Sequence, residues 1–245
     1  MNEQKIDFRK KYILVLDIET ANFTDDAIAY DIGFAVADRK GNIYEKHSLM
    51  ISEMFLDEAE MMNSAYYAEK IPQYWADFAH GKRTMVSITT ARKILYKVMK
   101  KYRITDVYAY NASFDSRGLD RTIRFLTKSE IRFFFPYGTK IHCIWNMACQ
   151  TLLQQKHFFK FALENGFVSA SGNVQTSAEV AYRYICKDST FTESHTGLED
   201  VEIETAILAK CYSLHKKMNT KIYRNCWNLP QKNFKEFSKK VLTKV

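Results

Sequence analysis

The chain is poor in the residues that interrupt regular structure, with eight glycines and three prolines in 245 residues, which excludes collagen-like and low-complexity readings. It has no apolar run approaching the roughly 20 residues needed to cross a bilayer. The opening segment, Met-Asn-Glu-Gln-Lys-Ile-Asp, has no apolar signal core. No membrane association and a cytoplasmic location are therefore expected. Cysteines are few and unpaired in pattern: Cys143, Cys149, Cys186, Cys211 and Cys226 are odd in number, widely spread and free of any C-x-x-C spacing. Neither a disulfide framework nor a structural zinc site is signalled. A zinc module assembled from His142, Cys143, Cys149 and His157 fails on ligand spacing, and buried free thiols are expected instead.

What the chain does have is ordinary core-forming material, 47% apolar and 14% aromatic, at a length that buries a sizeable core. Charge is distributed unevenly. From His215 to Val245 there are nine basic residues and one acid, Glu236, so this segment holds the whole net charge of +8 while the other 214 residues carry 27 of each sign. Tyr223, Trp227, Phe234 and Phe237 are interleaved with those cations. A basic, aromatic tail points to a polyanion, nucleic acid before membrane. The bland alternative is a solvated terminal helix whose rings dock on the body.

Hydrophobic patterning predicts an α/β body. Tyr12 to Asp17 is a nearly continuous apolar run, as in a strand covered on both faces. Ala27–Ala37 and Ile43–Ile51 read as two more strands joined by a hairpin-length turn. Helical spacing is expected over Glu53–Lys70 and Ser87–Tyr102, with Pro72–Arg83 a loop between them. Ile104–Tyr110 is a fourth strand, Ser113–Leu126 a helix, and Thr139–Ile144 a short fifth strand. Helices are then expected over Asn146–Asn165, Thr176–Cys186 and Thr196–Leu214. A meander followed by strand–helix alternation gives a mixed sheet. The organisation expected is a body over 1–214 and a basic extension over 215–245.

Three short patterns carry chemistry, and each alone is weak. Asp17-Ile18-Glu19 places two carboxylates two apart on a strand, hence on one face; a solvated strand end would look the same. Because Asp17 follows four apolar residues, its carboxylate needs a cation to offset desolvation. Asn111-Ala112-Ser113-Phe114-Asp115 puts Asp115 in the first turn of a helix after a strand, which plain cap and dipole chemistry also favours. His195-Thr196-Gly197-Leu198-Glu199-Asp200 combines a capping-box spacing with a histidine on the loop before the helix and an acid in its first turn.

In order, the three patterns resemble the DEDDh branch of the DnaQ-like 3′-to-5′ exonucleases, whose signature runs D-x-E, N-x-x-x-D with Phe before the Asp, and H-x-x-x-x-D. The match covers roughly residues 12 to 214. It implies a ribonuclease H-like fold with a five-stranded mixed sheet flanked by helices. It makes Asp17, Glu19, Asp115 and Asp200 the ligands of two Mg²⁺ or Mn²⁺ ions, and His195 the base that activates water. Thr20 would sit near the terminal nucleotide, with Asn111 and Phe114 as further substrate contacts. The chain departs from the family pattern at Thr20-Ala21-Asn22, at Tyr110, at Gly197 and in the stretch Ile141 to Trp145.

The function the resemblance implies is stepwise hydrolysis from a free 3′ end to nucleoside 5′-monophosphates, with DNA and a single strand favoured. Hard oxygen ligands suit Mg²⁺ or Mn²⁺, and two such ions suit in-line hydrolysis. Lys239 and Lys240 in the extension are expected to grip backbone phosphates. The competing readings are an RNA-trimming exonuclease of the same family and a catalytically silent nucleic-acid-binding module.

Overall fold

Strand β1 (Ile13–Ala21) is the axis of the structure, and eight of its nine positions are buried. The computed structural model describes residues 6–22 and 26–242; Lys244 of the basic tail and the first five residues lie outside them. On one side β1 pairs antiparallel with β2 (Ile28–Ala37), which pairs antiparallel with β3 (Ile43–Ile51). On its other side it pairs parallel with β5 (Asp106–Ala109), and β5 with β6 (Lys140–Cys143). A sixth strand, β4 (Thr84–Val86), adds parallel to the free edge of β3, giving the order β4-β3-β2-β1-β5-β6. The expected five-stranded sheet is thus six-stranded. Three residues, Thr-Met-Val, are too short to show the period of a strand.

The pleat of β1 divides the core. Leu14, Leu16 and Ile18 face one apolar layer, shared with α3 (Ile88–Tyr102) and α4 (Ala112–Thr127). Ile13 and Val15 face the other, built from α5 (Ile144–Gln150), α6 (Lys156–Glu164), α7 (Ala178–Cys186) and α8 (Gly197–Ser213). Helices therefore cover both faces of an α/β sheet. No helix among the described residues is long and apolar enough to cross a membrane.

Local chemistry accounts for several boundaries. The Ser87 hydroxyl accepts from the Thr90 N–H at 3.2 Å and starts α3 where the sequence places it. The segment expected to be a loop, Pro72–Arg83, instead holds most of α2 (Ile71–Ala79), with Pro72 in the first turn, where its missing N–H costs nothing. The helix expected over Glu53–Lys70 is broken into a π turn at Glu53–Asp57, a short α1 (Ala59–Met62) and a 3₁₀ turn at Ala68–Lys70. Ser64 sits at the break, accepting from the Asn22 N–H at 3.1 Å beyond the end of β1. The helix expected over Asn146–Asn165 is likewise interrupted, at Thr151, whose hydroxyl donates back to the Met147 carbonyl at 2.7 Å.

Over its described part the basic extension packs on the body. Asn146 donates to the carbonyls of Asn219 and Lys221. Helix α9 (Gln231–Leu242) lies against α6, with Phe234 1% exposed and its ring 5.5 Å from that of Phe159. Phe234 is therefore a core residue and has no free face to stack on a base, and Phe237 packs partly buried against Phe159 as well. Among the cysteines, Cys143, Cys149, Cys211 and Cys226 are buried free thiols as expected, while Cys186 is exposed.

A candidate metal centre at the carboxyl edge of the sheet

Because β1 and β5 are parallel neighbours, their carboxyl ends open on the same edge, where α/β folds place crevices. Asp17 and Glu19 share the face of β1 that carries Ile13 and Val15, so both point toward the α8 layer. The register slips between Glu19 and Thr20, a bulge that ends the regular alternation beside the site. β5 leads into Asn111 and then α4, whose first turn delivers Asp115, buried at 4% exposure. From the other side α8 presents Asp200 in its first turn and Glu204 one turn later.

The result is a pocket of about 220 Å³ lined by Asp17, Ile18, Glu19, Tyr110, Asn111, Phe114, Asp115, Ala178, Glu193, His195, Asp200 and Glu204. Carboxylate oxygens of Asp17, Glu19 and Asp200 lie within 4.8 Å of one another. Asp115 lines the same pocket outside that trio. Burial raises the carboxyls of Asp17, Glu19 and Glu204 well above their ordinary range, and their acidic neighbours push them further. Asp115 and Asp200 are each pushed up to about 8, again chiefly by burial. Glu193, on the loop above, is raised to about 7 by burial and by Glu179.

Two buried oxygens here, Asp200 Oδ1 and Glu204 Oε2, have no hydrogen-bond donor. Such atoms are costly unless a proton or cation satisfies them. Five inward carboxylates, all oxygen donors, fit a hard divalent ion. Asp17, Glu19 and Asp200 are placed to share one ion, with Asp115 and Glu204 adjacent.

The N-terminus of α8 is held by a second acid. Asp31 on β2 is 0% exposed, and its Oδ2 accepts from the Gly197 N–H at 3.0 Å and the Tyr74 hydroxyl at 2.8 Å. Arg83 approaches the same oxygen at 3.4 Å and reaches on to Asp77 and Glu199. The hydroxyl of Thr196 donates to the Glu199 carboxylate at 2.7 Å, so the capping-box pair meets side chain to side chain. Close approach of β2 and α8 depends on glycine at both contact points: a Cβ on Gly33 would lie 2.1 Å from the Gly197 carbonyl carbon.

His195 sits on the loop before α8 with a left-handed φ of 55°, a strained conformation for a residue with a Cβ. Its ring stacks on Tyr67, centroids 4.0 Å apart and planes at 8°. Burial lowers its pKa and so favours the neutral imidazole, with Glu179 opposing and Lys70 adding to the effect.

The fold thus brings Asp17, Glu19, Asp115, His195, Asp200, Asn111 and Phe114 to one pocket. Thr20 is buried just past the bulge and is not among the lining residues. Lys239 and Lys240 are in the last turn of α9. Lys240 lines a groove with Phe159 and Phe237 that shares no residue with the acidic pocket. Sequence reasoning missed Glu193, Glu204, Tyr67 and the Asp31 latch. Glu204 had a signal, since it follows Asp200 by one helical turn; the others did not, because loop and cross-sheet neighbours have no fixed spacing.

No family model matches the sequence, and no curated protein matches it. Among solved structures, the chain is similar to Escherichia coli Exonuclease I in complex with a 5cy-dT13 oligonucleotide. The TM-score is 0.45 at 10% identity, covering 80% of this chain and 39% of that chain. The chain spans well under half the length of that protein.

Proposed function

We propose that the protein is a divalent-metal-dependent 3′-to-5′ exonuclease acting on nucleic acid, with single-stranded DNA favoured and RNA the alternative substrate. The observation that carries this reading is the set of inward carboxylates around Asp17, Glu19 and Asp200, with two buried oxygens that no protein donor satisfies. A binding-only module has no need of such a costly cluster.

In this reading Asp17, Glu19, Asp115 and Asp200 hold two Mg²⁺ or Mn²⁺ ions. When bound, such ions supply Lewis-acid stabilisation of the developing charge and make an attacking water more acidic. Asp17 and Glu19, fixed on the central strand, set the position of the cluster. Asp200 completes it from α8, and Glu204 extends it inward. His195, kept neutral by its burial against Tyr67, accepts the proton of the attacking water at a ring nitrogen. Asn111 and Phe114, which line the pocket from the start of α4, are proposed contacts to the terminal nucleotide, as is Thr20 just past the bulge. Lys239 and Lys240 are proposed phosphate contacts farther along the strand.

The test is incubation of purified protein with 5′-labelled single-stranded DNA, RNA and duplex DNA, with Mg²⁺ or Mn²⁺ against EDTA. The expected result is metal-dependent shortening from the 3′ end with mononucleotide release, faster on DNA. Undiminished activity in excess EDTA, or in Asp200→Ala, overturns the reading; faster shortening of RNA selects the alternative substrate.

A further inference from the structure

Apart from the acidic pocket, a groove of about 760 Å³ lies beside the loop that follows α4. Three large apolar side chains of this loop stand in solvent: Ile131 is 83% exposed, Phe133 59% and Tyr137 fully exposed. Contiguous exposed rings of this kind mark an interaction surface rather than a core. The loop is nonetheless built and held. Asp120 Oδ1 accepts from the Phe134 N–H at 2.8 Å, Arg92 Nε donates to the Phe134 carbonyl at 3.1 Å, and Arg124 Nε to the Arg132 carbonyl at 2.8 Å. Phe134 itself is fully buried and pins the loop to the body.

The groove's charge points to the occupant. Arg92 and Arg132 line it, and Arg124 stacks on Phe133 with its guanidinium 4.7 Å from the ring centroid. Among the described residues none of these three arginines forms an ion pair within 4 Å, and the one acid lining the groove, Asp120, is spent on the loop's own backbone. Arg124 is close enough to Asp120 to favour its charged form and Arg92 stacks on Tyr96 at 4.5 Å, yet three guanidinium groups against one groove acid leave a net positive surface set among exposed rings, which matches a chain of phosphates carrying stackable bases. It does not match a purely apolar partner. The groove and the candidate site flank the same end of α4: Phe114 and Asp115 line the acidic pocket, and the next residue, Ser116, lines the groove, although the two share no lining residue.

We infer that the 128–139 loop and Arg92 form a single-stranded nucleic-acid track leading to the acidic pocket, with Phe133 and Tyr137 as base-stacking platforms and Arg92, Arg124 and Arg132 as phosphate contacts. This rests on the nuclease reading of the pocket, and it puts the strand on the α3–α4 side of the sheet, as an alternative to the contacts proposed at Lys239 and Lys240 on the α6 side.

The experiment measures equilibrium binding in EDTA, where no hydrolysis occurs, of the full chain to a 20-mer of deoxythymidine. A 20-mer of abasic sugar-phosphate, which has the same charge without bases, is the second probe. Wild-type protein is expected to prefer the thymidine oligomer by at least about fivefold, from one or two stacked bases. Phe133→Ala with Tyr137→Ala should abolish that preference while leaving abasic binding unchanged. Arg132→Gln should weaken both oligomers alike and flatten the dependence of log K on log salt by about 0.7, one single-strand phosphate contact. The altered side chains are exposed, and an unchanged melting temperature confirms the fold of each variant. Equal wild-type affinity for the two oligomers, or a ring variant that keeps its preference for thymidine, overturns the proposal. So does self-association of the wild type, lost in the ring variant, with oligomer binding unaffected, since the face would then join copies of this chain. Hydrolysis by the wild type in Mg²⁺ is scored separately. Absent hydrolysis with base-dependent binding intact fails the nuclease reading alone, and hydrolysis without base-dependent binding fails the track alone.

Discussion

Gly33→Ala tests the geometry on which the candidate site depends. Gly33 pairs with Asp17 across β1 and β2, so its missing side chain lies on the same face as the acid, under the start of α8. An added Cβ would meet the Gly197 carbonyl carbon at 2.1 Å, its oxygen at 2.3 Å and the Leu198 nitrogen at 2.4 Å. All three are backbone atoms, so no rotamer change relieves the contact, and α8 must retreat by about 1.5 Å to restore ordinary van der Waals separation. Overpacking of this kind costs about 1–3 kcal/mol or more, a fall in melting temperature of about 2–4 °C per kcal/mol for a chain of this size. In a strand without the clash, alanine would instead stabilise by about 0.5–1 kcal/mol, so the sign alone discriminates. Retreat of α8 also carries Asp200 away from Asp17 and Glu19, and a misplacement of about 1 Å can cost on the order of 10²-fold in turnover. The assay is thermal melting together with Mg²⁺-dependent hydrolysis of labelled DNA. A Gly33→Ala protein that melts at or above the wild-type temperature with full activity refutes the close-packing argument. Gly197→Ala, whose Cβ would meet the Gly33 nitrogen at 2.8 Å, should show the same effects at smaller size.

Asp17→Asn should reduce hydrolysis to near background while raising the melting temperature of the metal-free protein, because one of several crowded like charges is gone; a fall in that temperature contradicts the repulsion argument. His195→Ala should lower turnover by roughly 10²- to 10⁴-fold with little change in oligonucleotide affinity, and unchanged turnover removes its role as base. In EDTA, stability should fall as pH rises from about 4 to 8. Asp115 and Asp200 titrate near 8 in the fold against 3.8 ordinarily, so the folded state holds more protons than the unfolded chain across that window. The slope is about 1.4 kcal/mol per pH unit for each retained proton. Millimolar Mg²⁺ should restore stability at pH 8 and do little at pH 5; a flat melting profile with no response to Mg²⁺ refutes the cation site.

Much of this arrangement is set by short-range rules that act on neighbours in the chain. Asp17 and Glu19 share a face because side chains on a strand repeat every two residues, and the apolar run before them marks a central strand. Asp115 and Asp200 fall in first helical turns because α4 and α8 begin directly after Asn111 and Thr196, residue types that mark helix starts in a sequence even though neither side chain bonds to a backbone N–H of the helix here. Strand Ile43–Ile51 and the start of α3 at Ser87 are legible to the residue for the same reason. Which groups meet across the sheet is decided otherwise. Glu204 reads as one more helical acid until α8 is laid over β1, and Gly33 and Gly197 are 164 positions apart before their backbones touch. Phe234 and Phe133 are both rings among basic residues in the sequence, yet one is 1% exposed against α6 and the other 59% exposed beside a groove. Burial depends on what distant segments bring to the same place, and local spacing contains no term for that; only the packed chain determines which charges are left without partners and which rings are left in water.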